Sequence, residues 1–472
     1  MKIFVLYLVI NCFTLTVKAQ NKPNIVFILM DNLGYGEVGC YGGGLTRGAA
    51  TPRIDKLATE GTRLLNFNVE AQCTPSRSAI LTGRFAIRSG THSVPIGGGK
   101  DGLTQWEVTI AELLSSTGYK TACFGKWHLG SDQGRLPNDQ GFDQWYGIPR
   151  TTDEAFWPSE PSVKSLGIPL THIMEGVKGE KSRDKEVYDL KQRALIDAEI
   201  AKRTIDFMKQ STKEGKPFYA YVPFTLVHFP TIPNPEYEGK TGFGDFPDAL
   251  AEMDAHVGQI LDAIDNLKIR DNTIVVFTSD NGPESTWPWQ GSSGPWKGYY
   301  FTHMEGSLRT PFIIRWPEKI PAGRVSNEIV HEVDTYTTFA KIGGVPIPND
   351  RPIDGVDQTD FFLGKTELSA REGFPVFVAD RLEAVKWRNW KVVFYDEQRD
   401  WFTPPAKLGG VKVFDLITDP KEEYPEVGVR NSWVAGPAVK VMIDFEKSLK
   451  QYPPIISGTA DPYTPKPSLK IK

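Results

Sequence analysis

The sequence predicts an α/β fold: a large, mostly parallel (mixed) sheet flanked by helices, with a smaller C-terminal α+β domain containing an antiparallel sheet. Three observations lead there. Short continuous apolar runs, such as NIVFILM at 24–30 and TIVVFT at 273–278, alternate with longer amphipathic segments, as in sheets whose strands are buried on both faces by crossover helices. After about Gly364 the texture changes to short alternating runs with turns between them, which reads as antiparallel strands. Composition supplies the core: 40% of residues are hydrophobic, 12 are Trp, and 44 Gly with 35 Pro provide for many loops. A disordered or fibrous chain is thereby excluded. Lys and Arg number 54 against 58 Asp and Glu, a formal charge of −4 over 472 residues, so no basic excess exists to bind nucleic acid.

The first element is an export signal over residues 1–19. Lys2 gives a positive start, residues 3–17 are mostly apolar, and Val17-Lys18-Ala19 offers a small residue at a cleavage site. A membrane anchor is the competing reading, disfavoured because the stretch is short and Asn11 breaks it. A lipoprotein reading through Cys12 is weaker, since Asn11 stands where a small residue is wanted. No other run is long enough to span a bilayer, so the mature chain is expected to be secreted or periplasmic, without stable membrane insertion. Cys12 leaves with the signal. Cys40, Cys73 and Cys123 remain, too few for a disulfide framework; Cys40 and Cys123 could pair or stay as thiols. No Asn-x-Ser/Thr sequon is present, which favours a bacterial export route.

The elements then follow in order. A strand over 24–30 precedes helical segments at 54–65 and 76–83. A helix over 106–116 leads into a short strand at 119–124. A long helix over 190–208 places Leu190, Ala194, Ala198, Ala201, Ile205 and Met208 on one face. A strand at 218–224, a helix at 249–267 and a strand at 273–278 complete the large part, 20–365. In the remainder, 366–472, the runs 376–378, 384–387, 391–395 and 411–415 read as the small sheet. A closing helix spans 438–449, with Pro437 in its first turn.

Chemistry collects after the strands. Met30 is followed by Asp31-Asn32, Phe124 by Gly125-Lys126-Trp127-His128, and Thr278 by Ser279-Asp280-Asn281, while the strand at 218 leads to His228. In open α/β sheets ligands bind outside the carboxyl ends of the strands, so these clusters are expected to meet on one edge. Asp31, Asn32, Asp280 and Asn281 offer oxygen only, a set that suits Ca²⁺ or Mg²⁺ rather than zinc. In the segment Cys73-Thr-Pro-Ser-Arg-Ser-Ala-Ile-Leu-Thr-Gly83, Pro75 suits a first helical turn and Gly83 a stop. Cys73 then stands at a helix N-terminus, where N–H groups attract an anion, with Arg77 one turn on. Taken alone, Cys73 would be an inert buried thiol and His128 or His228 a structural histidine.

Cys73-Thr74-Pro75-Ser76-Arg77 with Thr82-Gly83 resembles the signature of the type I sulfatase family, arylsulfatase-like members of the alkaline phosphatase superfamily. A second signature is matched by Gly118-Tyr119-Lys120-Thr121 and Gly125-Lys126-Trp127-His128. Further matches are the segment 24–36, Phe277 to Gly282, Trp296-Lys297-Gly298, Glu305-Gly306 and Arg309-Thr-Pro311. Together they span about residues 22 to 320, and the C-terminal runs resemble the family's small sheet domain.

The resemblance implies hydrolysis of sulfate monoesters by a formylglycine made from Cys73, installed by a formylglycine-generating maturation enzyme. The hydrated aldehyde would attack sulfur with one hydroxyl and use the other to expel sulfate. One divalent cation, Ca²⁺ with Mg²⁺ as the alternative, would be held by Asp31, Asn32, Asp280, Asn281 and the modified Cys73. Arg77 and Lys126 would steady the nucleophile, His128 would act as base, and His228 and Lys297 would contact the sulfate and the leaving oxygen. The substrate is expected to be a sulfated small molecule or glycan. A phosphonate or phosphate ester hydrolase, or a non-catalytic sulfate-binding relative, is the alternative.

Two positions depart from the family pattern: Asn32, where a second Asp is usual, and Glu37, often Asp. A neutral Asn32 leaves two carboxylates for the cation, so weaker metal binding is expected than in a three-carboxylate site. Pocket walls are expected from 97–101, 153–164 and 287–295, with Trp157, Trp287 and Trp289 free to stack on a ring or to pack. Asp380 and Arg381 are further candidates for substrate contact. His92, His172, His256 and His303 receive no role, and His331 a structural one.

Overall fold

The computed structural model describes residues 22–95, 102–397, 403–426 and 429–465. The expected export signal, Cys12 and the wall segment 97–101 lie outside the described residues.

The strand Asn24–Met30 is buried along its whole length. Val26, Ile28 and Met30 point into one core layer, while Ile25, Phe27 and Leu29 point into the other. An apolar run of this kind satisfies both faces of a covered sheet. It pairs in parallel with Thr273–Ser279 on one side and Phe218–Pro223 on the other. Phe218–Pro223 pairs with Lys120–Lys126, which pairs with Gln144–Ile148, again in parallel. His172–Val177 and Arg183–Val187 extend this side antiparallel. Beyond Thr273–Ser279 lie Phe312–Arg315, antiparallel, then Thr62–Leu64 and Arg324–Ser326. The result is a mixed sheet of 10 strands.

Helices cover both faces. Pro52–Glu60, Leu190–Lys213 and Asp245–Asn266 supply Ile54, Leu57, Ile196, Ile200, Leu250, Met253 and Val257 to one layer. Cys73–Thr82, Ile110–Ser116 and Val333–Ile342 supply Ile80, Leu81, Ile110, Leu114, Tyr336 and Phe339 to the other.

Several boundaries move from expectation, among them the helix expected over 76–83, which begins at Cys73, and the helix expected over 190–208, which runs to Lys213; two others have a clear local cause. The helix expected over 106–116 starts at Ile110 because Thr109 caps it: Glu112 N donates to Thr109 Oγ1 at 3.1 Å, and Thr109 N donates to Glu112 Oε2 at 2.7 Å. The segment expected to be helical over 54–65 stops at Glu60. Gly61 lets the chain cross Phe312–Arg315 so closely that a Cβ there would meet Ile314 O at 2.3 Å, and Thr62–Leu64 joins the sheet instead.

The C-terminal part forms the expected antiparallel sheet, in the order Gly373–Val378, Arg381–Trp387, Trp390–Tyr395 and Lys407–Asp415. The helix Ala435–Gln451 packs on it through Ala438 and Phe445. Phe374, Val376, Val378 and Phe414 share a core with Ala71, Ala79 and Phe85, so this sheet rests against the helix that begins at Cys73.

Candidate active site

The parallel registers align Met30 with Ser279 and Leu29 with Pro223. Residues that follow these strands therefore emerge on one edge, as the strand-end argument requires. Asn32 and His128, just beyond their strands, both have φ 56°. A left-handed backbone is uncommon away from glycine, and here it turns each side chain back over the sheet edge.

Cys73 is the first residue of the helix Cys73–Thr82, and the whole helix is buried. Its Sγ lies 3.6 Å from Asp31 Oδ1 and 3.7 Å from Asn32 Oδ1. Arg77, one turn on, donates to Asp280 Oδ2 from Nε at 3.1 Å and from Nη2 at 2.7 Å, and from Nη1 to Lys126 O at 2.6 Å. Lys126 Nζ donates to Asp31 Oδ2 at 2.7 Å, and Thr152 Oγ1 donates to the same oxygen at 3.2 Å. Gly125 makes this placement possible: it has φ 135°, and a Cβ there would fall 1.8 Å from Pro223 O.

Four charges are thus buried together: Asp31 and Asp280 against Arg77 and Lys126, with all four side chains at 0% exposure. Burial pushes the Asp31 carboxyl up, but Lys126, His228 and Arg77 outweigh it and hold the group well below the usual carboxylate range. Asp280 goes the other way, to about 6, through burial and the charge of Asp31. His128 is driven well below its ordinary value by burial and by Lys126 and Arg77, so it is a neutral imidazole. Neither of its ring nitrogens has a hydrogen-bond partner among the described residues, which leaves them available to a ligand.

The oxygen set fits a hard cation. Asn32 N donates to Asp280 Oδ1 at 3.1 Å, and Asn281 Nδ2 donates to Asn32 Oδ1 at 2.7 Å. Asn281 Oδ1 is buried without a partner among the described residues, an orphaned acceptor beside two crowded carboxylates. A divalent ion would relieve both. Asp31, Cys73 and His228 also offer ligand atoms within 4.8 Å of one another.

His228 is placed by its backbone. Arg193, buried on the long helix, donates to Thr225 O, His228 O and Pro230 O. The His228 ring stacks on Phe229, which stacks on Trp289. Cys73, His128 and His228 open into a cavity of about 700 Å³ whose walls include Val94, Pro95, Asp153, Trp157, Tyr300 and Phe301. Of the expected wall segments, 153–164 contributes Asp153 and Trp157, whereas Trp287 and Trp289 line an adjoining groove. Arg381 is engaged by Glu383 at 2.6 Å, and the cavity is reached from that loop by Ala379.

Nine of the ten expected site residues come together. Lys297 does not: its Nζ donates to Glu397 Oε2 at 2.7 Å, with the lysine side chain 31% exposed, and it is absent from the cavity wall. The loop that carries it turns its side chain toward the segment after Trp390–Tyr395. Sequence reasoning missed Thr152, Arg193, Tyr300 and Glu284. Glu284 is 1% exposed and accepts from Asn32 Nδ2 at 3.2 Å; its position four residues after Asp280 was the available signal. Glu37, the second departure, is buried and paired with Arg47 at 2.9 Å, and it takes no part in this cluster. Cys40 and Cys123 are free thiols. No helix among the described residues is long and apolar enough to cross a membrane.

Comparison with known proteins agrees with this geometry. The Sulfatase family model matches residues 23–345, and the model for the C-terminal region of N-sulphoglucosamine sulphohydrolase matches 297–427. The chain is 33% identical to human (Homo sapiens) arylsulfatase A over 459 residues, covering 91% of this chain and 86% of that protein. It is 32% identical to N-acetylgalactosamine-6-sulfatase of Canis lupus familiaris over 443 residues, covering 86% and 82%. The crystal structure of PsFucS1 sulfatase from Pseudoalteromonas sp. superposes with a TM-score of 0.87 at 34% identity, covering 92% of each chain.

Proposed function

The chain belongs to the sulfatase family and is a sulfuric ester hydrolase, and from that premise we propose that it releases inorganic sulfate from a sulfate monoester at the floor of the Cys73 cavity. The observation that carries this reading is the convergence on Cys73 Sγ of Asp31, Asn32 and His228, with Arg77 and Lys126 behind them. Cys73 is the residue converted to formylglycine by the maturation enzyme, and that group supplies a hydrated aldehyde as nucleophile. Asp31, Asn32, Asp280 and Asn281 would hold one divalent cation, Ca²⁺ by preference, and that ion would supply positive charge opposite the sulfate oxygens.

The chain's own residues do the rest. Asp31 and Asp280 balance Arg77 and Lys126, so the charge of a bound cation would be left to face the anion. Arg77 and Lys126 stabilise negative charge next to position 73. His128, neutral and with both ring nitrogens unengaged among the described residues, accepts the proton released at that position. His228, held through its backbone by Arg193, contacts the sulfate. Trp157, Phe229 and Phe301 offer apolar faces to the alcohol half, which supports a sulfated ring, aryl or sugar. Residues 20–365 form the catalytic unit and 366–472 the smaller one, and residues 1–19 direct export to the periplasm or medium.

The test is co-expression with a formylglycine-generating enzyme, mass spectrometry of the peptide around residue 73, and assay on nitrophenyl sulfate and nitrophenyl phosphonate. An aldehyde at 73 and preferred sulfate release are expected, lost in Cys73→Ala. Undiminished sulfate release by Cys73→Ala sinks the reading.

A further inference from the structure

The cavity that holds Cys73, His128 and His228 has a neighbour. Thr286 lines the cavity, and the next residue, Trp287, lines a separate groove of about 930 Å³. Trp289 stands between the two. Its ring stacks at 5.9 Å on Phe229, which stacks at 4.9 Å on His228, and it also lines the groove. The groove exposes what a folded chain ordinarily covers. Trp287 is 83% exposed, Leu45 81% and Phe243 74%, three large apolar side chains from three separate segments around one depression. An apolar cluster of this kind marks a binding surface. Its frame is preformed. Arg47 donates from Nε to Glu37 Oε2 at 2.9 Å and from Nη2 to Gln290 O at 3.1 Å, which ties the segment of Leu45 to that of Trp287. A Cβ on Gly48 would fall 3.3 Å from Phe243 Cβ, so the segments of Leu45 and Phe243 also abut.

We propose that this groove is a second sugar subsite with Trp287 as its stacking platform. The substrate is then a sulfated glycan of several rings, whose sulfated unit sits over Cys73 while a neighbouring unit passes Trp289 into the groove. The proposal rests on the sulfatase reading above and adds the substrate class to it. Two features favour a glycan as the occupant. The first is continuity, since the groove meets the cavity across one indole. The second is the mixture of surfaces, with Arg47, Asp245 and Gln290 standing among the apolar side chains. A sugar ring presents the same mixture, C–H groups on its face and hydroxyls at its rim, and it can stack on an indole while its rim meets polar groups. A lipid or steroid would strip water from those polar groups and leave them unpaired. Contacts in the groove are remote from the reacting sulfur, yet such binding can lower the barrier at the reacting centre, so a truncated substrate reacts more slowly.

The experiment measures sulfate release from nitrophenyl sulfate and from a sulfated galactan, a sulfated fucan and a sulfated glycosaminoglycan. Each glycan is supplied both as sulfated monosaccharide and as size-fractionated oligosaccharide. The proteins are wild type, Trp287→Ala and, as a control, Tyr424→Ala, an aromatic 76% exposed and outside the groove, all matched for aldehyde content at residue 73. For at least one glycan, wild-type kcat/KM is expected to be roughly tenfold or more higher on the oligosaccharide than on the monosaccharide. Trp287→Ala should lower that ratio roughly 3- to 10-fold, and Tyr424→Ala should keep it. Equal turnover of long and short forms, failure on all three glycans, or an undiminished ratio in Trp287→Ala overturns the proposal. A dimer that Trp287→Ala dissociates without changing the ratio overturns it too, and gives the groove to a second copy of the chain. Wild-type release from nitrophenyl sulfate is the control on the sulfatase reading, so loss of the length effect removes the subsite and leaves that reading standing.

Discussion

Asn32 presents Oδ1 to Cys73 Sγ and to Asn281 Nδ2, while its Nδ2 donates to Glu284 Oε2 at 3.2 Å. The amide is held from both ends, with its oxygen on the side of the other cation ligands. The carboxylate that a usual site carries at position 32 thus stands one step back, at 284. Simple charge counting says that Asn32→Asp tightens the cation site. The geometry says otherwise, because the new carboxylate would face the buried Glu284 carboxylate, and like charges that close share a proton rather than both ionise. Asn32→Asp alone is expected to change Ca²⁺ affinity by no more than about threefold, whereas Asn32→Asp with Glu284→Gln should gain roughly tenfold or more, about 1.4 kcal/mol. Calorimetric titration in a Cys73→Ala background reads this without activity, and a full gain from the single substitution would refute it. Asp31, Asn32, Asp280 and Asn281 were legible in the sequence because each follows an apolar strand. Glu284 and Tyr300 were not, because they sit in loops whose direction is set by tertiary contacts such as Tyr300 N to Pro283 O.

Between elements, the decisive contact is the approach of the strand Lys120–Lys126 to Phe218–Pro223. Gly125 has φ 135°, and any side chain there meets Pro223 O. Gly125→Ala must therefore push the two strands apart and carry Lys126 away from Asp31. The expected cost is about 2–4 kcal/mol, read as a Tm lower by roughly 2–4 °C in a chain of this length, with sulfate release lost in whatever protein stays folded. A Tm within 1 °C of wild type and full activity would show that the strands can yield. The same contrast explains which strands could be read in advance. Asn24–Met30, Phe218–Pro223 and Thr273–Ser279 are buried on both faces and so are written as unbroken apolar runs. Arg183–Val187, RDKEV, is exposed throughout, and Thr62–Leu64 spans 3 residues. Neither carries a periodicity to read: the first is made a strand by pairing rather than burial, and the second, though Thr62 and Leu64 are buried, is too short to show a pattern.

Across the whole molecule, buried charge ties distant parts of the chain together, and two predictions belong at this scale. Glu37 accepts from Arg47 and from Ser292 N, joining the turn after the first strand to the loop before Tyr300. Burial raises its carboxyl to about 7 from an ordinary 4.5. The native state then binds the proton more tightly than the unfolded chain. The stabilisation is complete below about pH 4.5 and is lost as pH rises through 7. Urea midpoints at pH 5 and pH 8 should therefore show wild type losing ground to Glu37→Gln at the higher pH, by on the order of 2–3 kcal/mol; parallel behaviour would refute it. The second prediction concerns the small sheet. Glu305 accepts from Lys386 at 2.6 Å, from Lys391 at 3.2 Å and from Arg309. Lys386 also donates to Asn66 Oδ1 at 3.0 Å and Asn68 Oδ1 at 2.6 Å, and Lys391 pairs with Glu422 at 2.8 Å. Lys386, Lys391 and Glu305 are all at 0% exposure. Removing the central anion leaves three buried cations against one carboxylate, which costs far more than an intact pair contributes. Glu305→Gln is expected to destabilise by about 3–5 kcal/mol. Because this network and the shared core of Phe374, Val376, Ala71 and Ala79 join the small sheet to the Cys73 helix, the two should fail together. Fluorescence of Trp387, Trp390 and Trp433, clustered at the small sheet, should change at the same urea concentration at which sulfate release is lost, in wild type and variant alike. Separate transitions would mean that the C-terminal sheet is an appendage and that the active-site helix stands without it.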